Sequence, residues 1–348
     1  MMRYKLFGRG TGLRVSELAL GCATFGTRWG YGTEPAEARR VFDTYVEAGG
    51  NFIDTADTYQ MGQSEELLGE FITHCRDALV LATKFTLGRD PAADPLAVSN
   101  NRRSMVRSVE GSLRRLKTDR IDLLWVHMPD GVTCVEEMMR GLDTLVRTGK
   151  VLYLGLSNFP AWRVSRAATI AELRGWTPLI GLQVEYSLVE RTADRELLPM
   201  ARALGLGTVG WSPLGGGLLT GKYRRGEEGR ATSFARTIHS ESDPIKIATV
   251  DALLAVADES GVAPAVVSLA WMGARGVIPI VGARTVDQLR GNLLSAGFEL
   301  CAQHSARLAA ASAVSLGFPH DMLAEESRLR LRAPDMADQV ELPSVPVA

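Results

Sequence analysis

Eight short apolar runs alternate with longer segments of helical periodicity, and this alternation restricts the possible folds more than any other feature of the chain. The runs are Leu18–Gly21, Asn51–Thr55, Leu79–Lys84, Ile121–His127, Val151–Ser157, Ile180–Glu185, Leu206–Trp211 and Val277–Val281. Over residues 103–117, Val106, Val109, Leu113 and Leu116 recur at helical spacing, while Arg107, Arg114 and Lys117 fall elsewhere. Regular β-then-α order favours parallel strands, because each helix returns the chain to the end where the next strand begins. Eight such units allow the sheet to close, so the expected fold is an α/β (β/α)8 TIM barrel, with an open doubly wound sheet as the alternative. Tyr4–Phe7 and Leu13–Val15 flank a glycine-rich turn and predict a β-hairpin that plugs the N-terminal mouth of the barrel. Residues 264–275 and 302–315 read as extra helices, before the last strand and after the barrel.

No stretch reads as an interdomain linker, so residues 1–348 are expected to form a single barrel domain. The longest polar interruption, residues 222–244, is read as a flap over a bound cofactor, and residues 323–348 as a surface-bound or mobile tail. Apolar residues make up 46% of the chain and charged residues 23%, which provides for a buried core and argues against disorder. With 39 basic against 40 acidic side chains, no long-range field favours nucleic acid or an anionic membrane. The start of the chain lacks the apolar stretch of a signal peptide, and no later segment approaches a membrane span. Cys22, Cys75, Cys134 and Cys301 are scattered without a metal-ligand spacing. These features predict a cytoplasmic protein with reduced thiols and no structural metal.

Reactive groups of such barrels gather at the C-terminal ends of the strands. Those ends here carry Asp54, with Tyr59 five residues beyond it, then Lys84, His127, Ser157–Asn158, Gln183, Trp211–Ser212 and Gly282–Arg284. The first four make chemical sense together. A phenol of pKa about 10 is a poor acid at neutral pH, but an ammonium beside it stabilises the phenolate, which makes Tyr59 a usable proton donor. Asp54 would keep Lys84 charged, and His127 could hydrogen-bond a carbonyl oxygen as hydride reaches the carbon. A Schiff-base role for Lys84, the chemical rival, explains neither Tyr59 nor Arg284. Trp29, Phe85, Met128, Phe159 and Trp162 fall on loops at the same mouth, where an aromatic substrate pocket is expected, lined by Trp29, Tyr59, Phe85, His127, Met128 and Phe159.

Phe52–Tyr59, Ala82–Lys84, Leu123–Asp130, Gly155–Phe159, Gln183–Leu188, Trp211–Lys222 and Gly282–Asn292 resemble, in order, the signatures of the aldo-keto reductase family, in its potassium-channel β-subunit-like branch. The resemblance runs from about residue 3 to residue 320 and implies a catalytic tetrad of Asp54, Tyr59, Lys84 and His127. It further implies NADPH/NADP+ as cofactor and a small-molecule carbonyl as substrate. Ser157, Asn158 and Gln183 would bind the nicotinamide carboxamide and Trp211 would stack on the ring, with Gly21, Cys22 and Asp54 close by. The loop of Ser212, Pro213, Leu214, Gly216, Leu219 and Lys222 would cover the pyrophosphate. Gly282, Arg284, Gln288 and Asn292 would hold the adenosine end. A guanidinium at Arg284 suits a 2′-phosphate, which favours NADPH over NADH. Two positions depart from the usual pattern: Cys22 stands where threonine is common, and Trp211 where many relatives have tyrosine. A cofactor-sensing interaction subunit and a nucleotide-sugar ketoreductase remain the alternative functions, and the assembly state, homo-oligomer included, stays open.

Two nucleotide-binding patterns have plainer explanations. Gly205–Gly210 fits G-x-G-x-x-G but follows a predicted helix and enters a strand, the reverse of the dinucleotide fingerprint. Gly216–Lys222 fits a phosphate loop up to its lysine, after which Tyr223 replaces the magnesium-binding hydroxyl. The basic run from Arg102 to Arg120 is interrupted by Glu110 and Asp119 and lacks interleaved aromatics, as a solvated helix face would.

Overall fold

Period-two alternation within the strands sorts this chain's side chains between the inside of a barrel and a surrounding helical layer. The computed structural model describes residues 2–88, 98–227, 239–241 and 243–326. Its hairpin pairs β1 (Tyr4–Leu6) with β2 (Arg14–Ser16) in antiparallel register. Eight parallel strands then close in the order β10-β3-β4-β5-β6-β7-β8-β9. They are β3 (Ala19–Gly21), β4 (Phe52–Asp54), β5 (Val80–Phe85), β6 (Ile121–Val126), β7 (Val151–Ser157), β8 (Leu179–Glu185), β9 (Gly207–Trp211) and β10 (Val277–Val281). All eight expected strands are present, and closure of β10 onto β3 excludes the open sheet. Their bounds shift by at most one residue; at the C-terminal ends β4 stops at Asp54, β5 runs one residue past Lys84, and β6 stops at Val126, which leaves His127 just outside the ladder.

Inside the barrel an apolar layer gives way to a polar one. Phe52, Val80, Ala82, Leu123, Trp125, Val209 and Ile280 form the lower layer, sealed by Phe7 just after β1. The Phe7 ring stands edge-on to Phe52 and Trp125 at 5.4 and 6.4 Å. Glycines make the space: a Cβ on Gly155 would lie 2.3 Å from the Trp125 ring, and one on Gly207 would lie 2.5 Å from Phe7. The hairpin therefore plugs the N-terminal mouth as expected. Two positions further along the same strand faces come Asp54, Lys84 and, past the end of β6, His127.

The helices, beginning with α1 (Pro35–Glu47) and α2 (Gln63–Phe71), pack their apolar stripes on the outside. α3 (Arg102–Leu116) buries Met105, Val109 and Leu116, is capped by Asn101 accepting from the Ser104 amide, and ends at Lys117 in the left-handed region. α4 (Val135–Arg147), α5 (Ala161–Arg174) and α6 (Leu197–Leu204) follow β6, β7 and β8. Pro244–Ser260 starts with an Asp243 cap and a proline in its first turn, and Pro264–Ala274 is the extra helix before β10. The helix expected over 302–315 ends earlier, at Ala311, where Ser312 turns back to the Leu308 carbonyl. Within the expected flap, Lys222–Arg225 forms one 3-10 turn, while residues 228–238 and 242 lie outside the described residues. Of the expected tail, residues up to Glu326 close a short helix, and 327–348 lie outside the described residues. Among the described residues no single helix is long and apolar enough to cross a membrane.

Candidate active site

The polar layer at the C-terminal mouth is organised by one buried ammonium. Lys84 Nζ donates to Asp54 Oδ2 at 2.5 Å, to the Thr55 carbonyl at 2.9 Å and to the Tyr59 hydroxyl at 3.1 Å. All three hydrogens of the ammonium thus have an oxygen acceptor, with none left over. Burial alone would depress the Lys84 pKa, but Asp54 and Tyr59 outweigh it and hold the ammonium above its ordinary value. The second Asp54 oxygen accepts from Gln183 Nε2 at 2.9 Å, which brings the end of β8 to the same carboxylate.

His127 completes the group. Its ring stands edge-on to Tyr59 at 6.0 Å between centroids, and its backbone N–H donates to the Phe85 carbonyl. Burial, then the Lys84 charge, pushes its pKa down to about 3, so the imidazole is neutral at physiological pH. Its Nδ1 is buried without a hydrogen-bond partner among the described residues. Tyr59 itself is carried by a tight turn in which Gln60 and Met61 both adopt left-handed backbone, at φ 50° and 55°. Gln60 locks that turn to the neighbouring loop by accepting from the Trp29 amide and donating to the Tyr31 carbonyl, each at 2.8 Å. Trp29 in consequence stands edge-on to Tyr59 at 6.1 Å.

These contacts bring together a carboxylate-held ammonium, a phenol and a neutral imidazole at the mouth of a (β/α)8 barrel. A family model described as the aldo/keto reductase family matches residues 17–313. The chain belongs to the aldo/keto reductase family. Norsolorinic acid reductase stcV of Emericella nidulans is 37% identical over 333 residues, which is 92% of this chain and 84% of the relative. An oxidoreductase of Bacillus subtilis, YrpG, is 40% identical over 84% of this chain and 90% of its own. An aryl-alcohol dehydrogenase of Pestalotiopsis microspora is 34% identical over 92% of this chain and 85% of its own.

In this aldo/keto reductase the residues expected at the nicotinamide end form one hydrogen-bonded string. Asn158 donates to the His127 carbonyl at 2.9 Å and to Ser157 Oγ at 3.0 Å, and it accepts from Trp211 Nε1 at 3.0 Å. The Asn158 backbone is left-handed at φ 61°, and so is that of Ser212 at φ 52°. Beyond Trp211 the chain turns through Gly215, Gly216 and Gly217, all at positive φ; a Cβ on Gly217 would lie 2.8 Å from Lys222 Cε. Gln288 folds back on the Arg284 amide, and the Arg284 guanidinium lies 4.7 Å from the Tyr31 ring centroid. The Lys222 ammonium is pushed below its ordinary value by burial and by the Arg284 charge. Gly205 caps α6 and Gly207 opens β9, as the plain explanation of that motif requires.

Several expected contacts are corrected by side-chain direction. Phe85 follows Lys84 on the same strand and so faces outward, where it is 1% exposed among Met105, Val109 and Leu124. Phe159, also 1% exposed, joins the same helix-side core. Neither lines the mouth, which leaves Trp29, half-buried Met128, Tyr59 and His127 there. Cys22 and Leu219 are likewise turned into the outer core. Asn292 is buried as well, and Trp162 is well exposed.

A second buried polar layer, not expected from the sequence, lies behind the first. Asp57 accepts from Ser108 Oγ at 2.5 Å, and Glu65 accepts from Thr83 Oγ1 at 2.6 Å and Arg115 Nε at 2.8 Å. The signal was available, since Asp57 and Glu65 continue the polar run after Asp54, but their partners come from α3 and β5.

Proposed function

We propose that this chain reduces aromatic aldehydes or ketones to alcohols with NADPH, Tyr59 serving as the proton donor. The observation that carries the reading is the Lys84 ammonium held by Asp54 at 2.5 Å and aimed at the Tyr59 hydroxyl at 3.1 Å. A dinucleotide fits the remaining groups. Lys222 and Arg284 set two like charges near each other, a pairing that suits phosphate oxygens. Ser157, Asn158, Gln183 and Trp211 would hold the nicotinamide, the turn from Ser212 to Lys222 the pyrophosphate, and Arg284 with Gln288 the adenosine end. Bound there, the cofactor supplies hydride to the carbonyl carbon.

The chain's own residues do the rest. Tyr59 hydrogen-bonds the carbonyl oxygen and transfers its proton as negative charge develops there. Lys84 stabilises the resulting phenolate, and Asp54 keeps Lys84 charged inside the barrel. Neutral His127 is placed to donate a ring N–H to the same oxygen. A relative named as aryl-alcohol dehydrogenase, together with Trp29 beside Tyr59, favours an aryl group on the carbonyl. The purified protein should oxidise NADPH with 4-nitrobenzaldehyde, and Tyr59→Phe should lower the rate by roughly 10²- to 10⁴-fold. Equal rates in the two proteins refute Tyr59 as donor, and tight NADPH binding without turnover across a carbonyl panel favours an interaction subunit instead.

A further inference from the structure

Away from the barrel mouth, the outer flank carries a cavity of about 290 Å³ between α6 and the segment after residue 312. Three guanidinium groups line it, from Arg191, Arg202 and Arg275, with the single carboxylate of Asp194. Arg275 stands two residues before the N-terminal end of β10, whereas the catalytic cluster occupies the C-terminal strand ends. The two sites are therefore separate.

The carboxylate does not neutralise this cluster. One Asp194 oxygen accepts from Arg191 Nε at 2.8 Å; the other accepts from the Tyr186 hydroxyl at 2.8 Å and from Arg275 Nη2 at 3.2 Å. Arg191 has a further structural use, donating to the Ala309 carbonyl and Ser312 Oγ, and Arg275 donates to Tyr186. Arg202 has no comparable use: its one described hydrogen bond is a long one, 3.4 Å to the Arg275 carbonyl. Arg191 and Arg275 bond the same Asp194 carboxylate, which holds their charges close together, and lie 5.4 and 5.2 Å from the centroid of the Trp271 ring. Three cations and one anion leave an excess of two positive charges around the cavity, with an apolar side formed by Leu198, Val314 and Leu316.

We propose that this cavity is a second ligand site, selective for a small phosphate dianion, either inorganic phosphate or a short phosphomonoester. Two charges match the excess, and planar guanidinium forks match tetrahedral oxygens that accept in pairs. The volume accommodates a phosphate with a few carbons against the apolar side and is too small for a dinucleotide, which needs a cleft at the upper end of the usual pocket range.

The test titrates the full chain carrying Lys222→Ala and Arg284→Ala, which removes both cations of the proposed cofactor site, with inorganic phosphate and with glycerol 3-phosphate by calorimetry at pH 8 and fixed ionic strength. One binding site is expected, and adding Arg202→Glu should weaken it at least tenfold. Arg202→Lys should fall between the two, since it keeps the charge and loses the fork. Affinity should also fall at pH 5.5, where phosphomonoesters become monoanions. Tighter binding of the ester identifies an ester ligand; equal or tighter binding of inorganic phosphate identifies the free ion. Arg202→Glu in the otherwise native chain should leave carbonyl reduction and thermal midpoint unchanged, which separates loss of the site from loss of the fold. Absence of binding in the Lys222→Ala/Arg284→Ala chain, or binding indifferent to Arg202→Glu, overturns the proposal.

Discussion

Asp57→Asn should remove a pH-dependent loss of stability that originates one layer behind Tyr59. Asp57 is 3% exposed, one of its oxygens has no partner among the described residues, and the nearby Glu65 carboxylate is fully buried. Burial first, and then the Glu65 charge, raises its pKa from 3.8 to about 7, against the opposing effects of Ser108 and Arg115. The folded chain therefore binds this proton more tightly than the unfolded chain does. As pH rises above about 4 the unfolded chain ionises while the fold does not, so stability declines until the folded group ionises near 7. At 1.36 kcal/mol per pH unit the accumulated loss is about 4 kcal/mol, complete by pH 8. An amide cannot ionise, so the difference in unfolding free energy, variant minus wild type, should climb by up to about 4 kcal/mol between pH 4 and pH 8. Any fixed cost of the amide's own hydrogen bonding shifts that difference without tilting it. Groups such as Asp130, which amide and hydroxyl donors hold well below the ordinary carboxylate range despite partial burial, titrate alike in both proteins and cancel. Urea denaturation at half-unit pH intervals measures the difference directly, and a flat or falling line would falsify the reasoning.

Lys84→Met should abolish reductase activity and cost about 3–5 kcal/mol, because Asp54 is left buried without its cation; urea denaturation should show the Asp54→Asn/Lys84→Met pair less destabilised than Lys84→Met alone. Because His127 titrates at about 3, the profile of kcat/KM against pH should show no histidine ionisation between pH 5 and 8. A limb near pH 6.5 that disappears in His127→Gln would contradict this. Arg284→Ala should raise KM for NADPH roughly ten- to hundredfold, the loss of about 1.5–3 kcal/mol for a charge-assisted hydrogen bond, and leave KM for NADH unchanged; steady-state kinetics with both cofactors decides it.

The alternation of apolar runs and helical stripes was enough to specify eight parallel β/α units, whereas the choice of a closed barrel over an open sheet was decided by the pairing of β10 with β3. Period-two alternation within the strands made the reactive cluster legible. Asp54 ends β4, and Lys84 lies two positions beyond Ala82, which belongs to the barrel interior. His127 stands in the same relation to Trp125. Strand ends present alternating faces and not sets of neighbours, which is why Phe85, one residue past Lys84, belongs to the outer core and not to the expected pocket.

Local sequence thus determined the fold class, the strand positions and the residue types available at the mouth, since these depend on periodicities a few residues long. Tertiary structure alone decided which of those groups are paired. Gln183 reaches Asp54 across 129 positions of sequence, Ser108 reaches Asp57 across 51, and Arg275 reaches Asp194 across 81. The physical reason is that a buried charge is tolerable only where oppositely charged or hydrogen-bonding partners converge on it, and barrel closure brings those partners from strands and helices far apart in the chain.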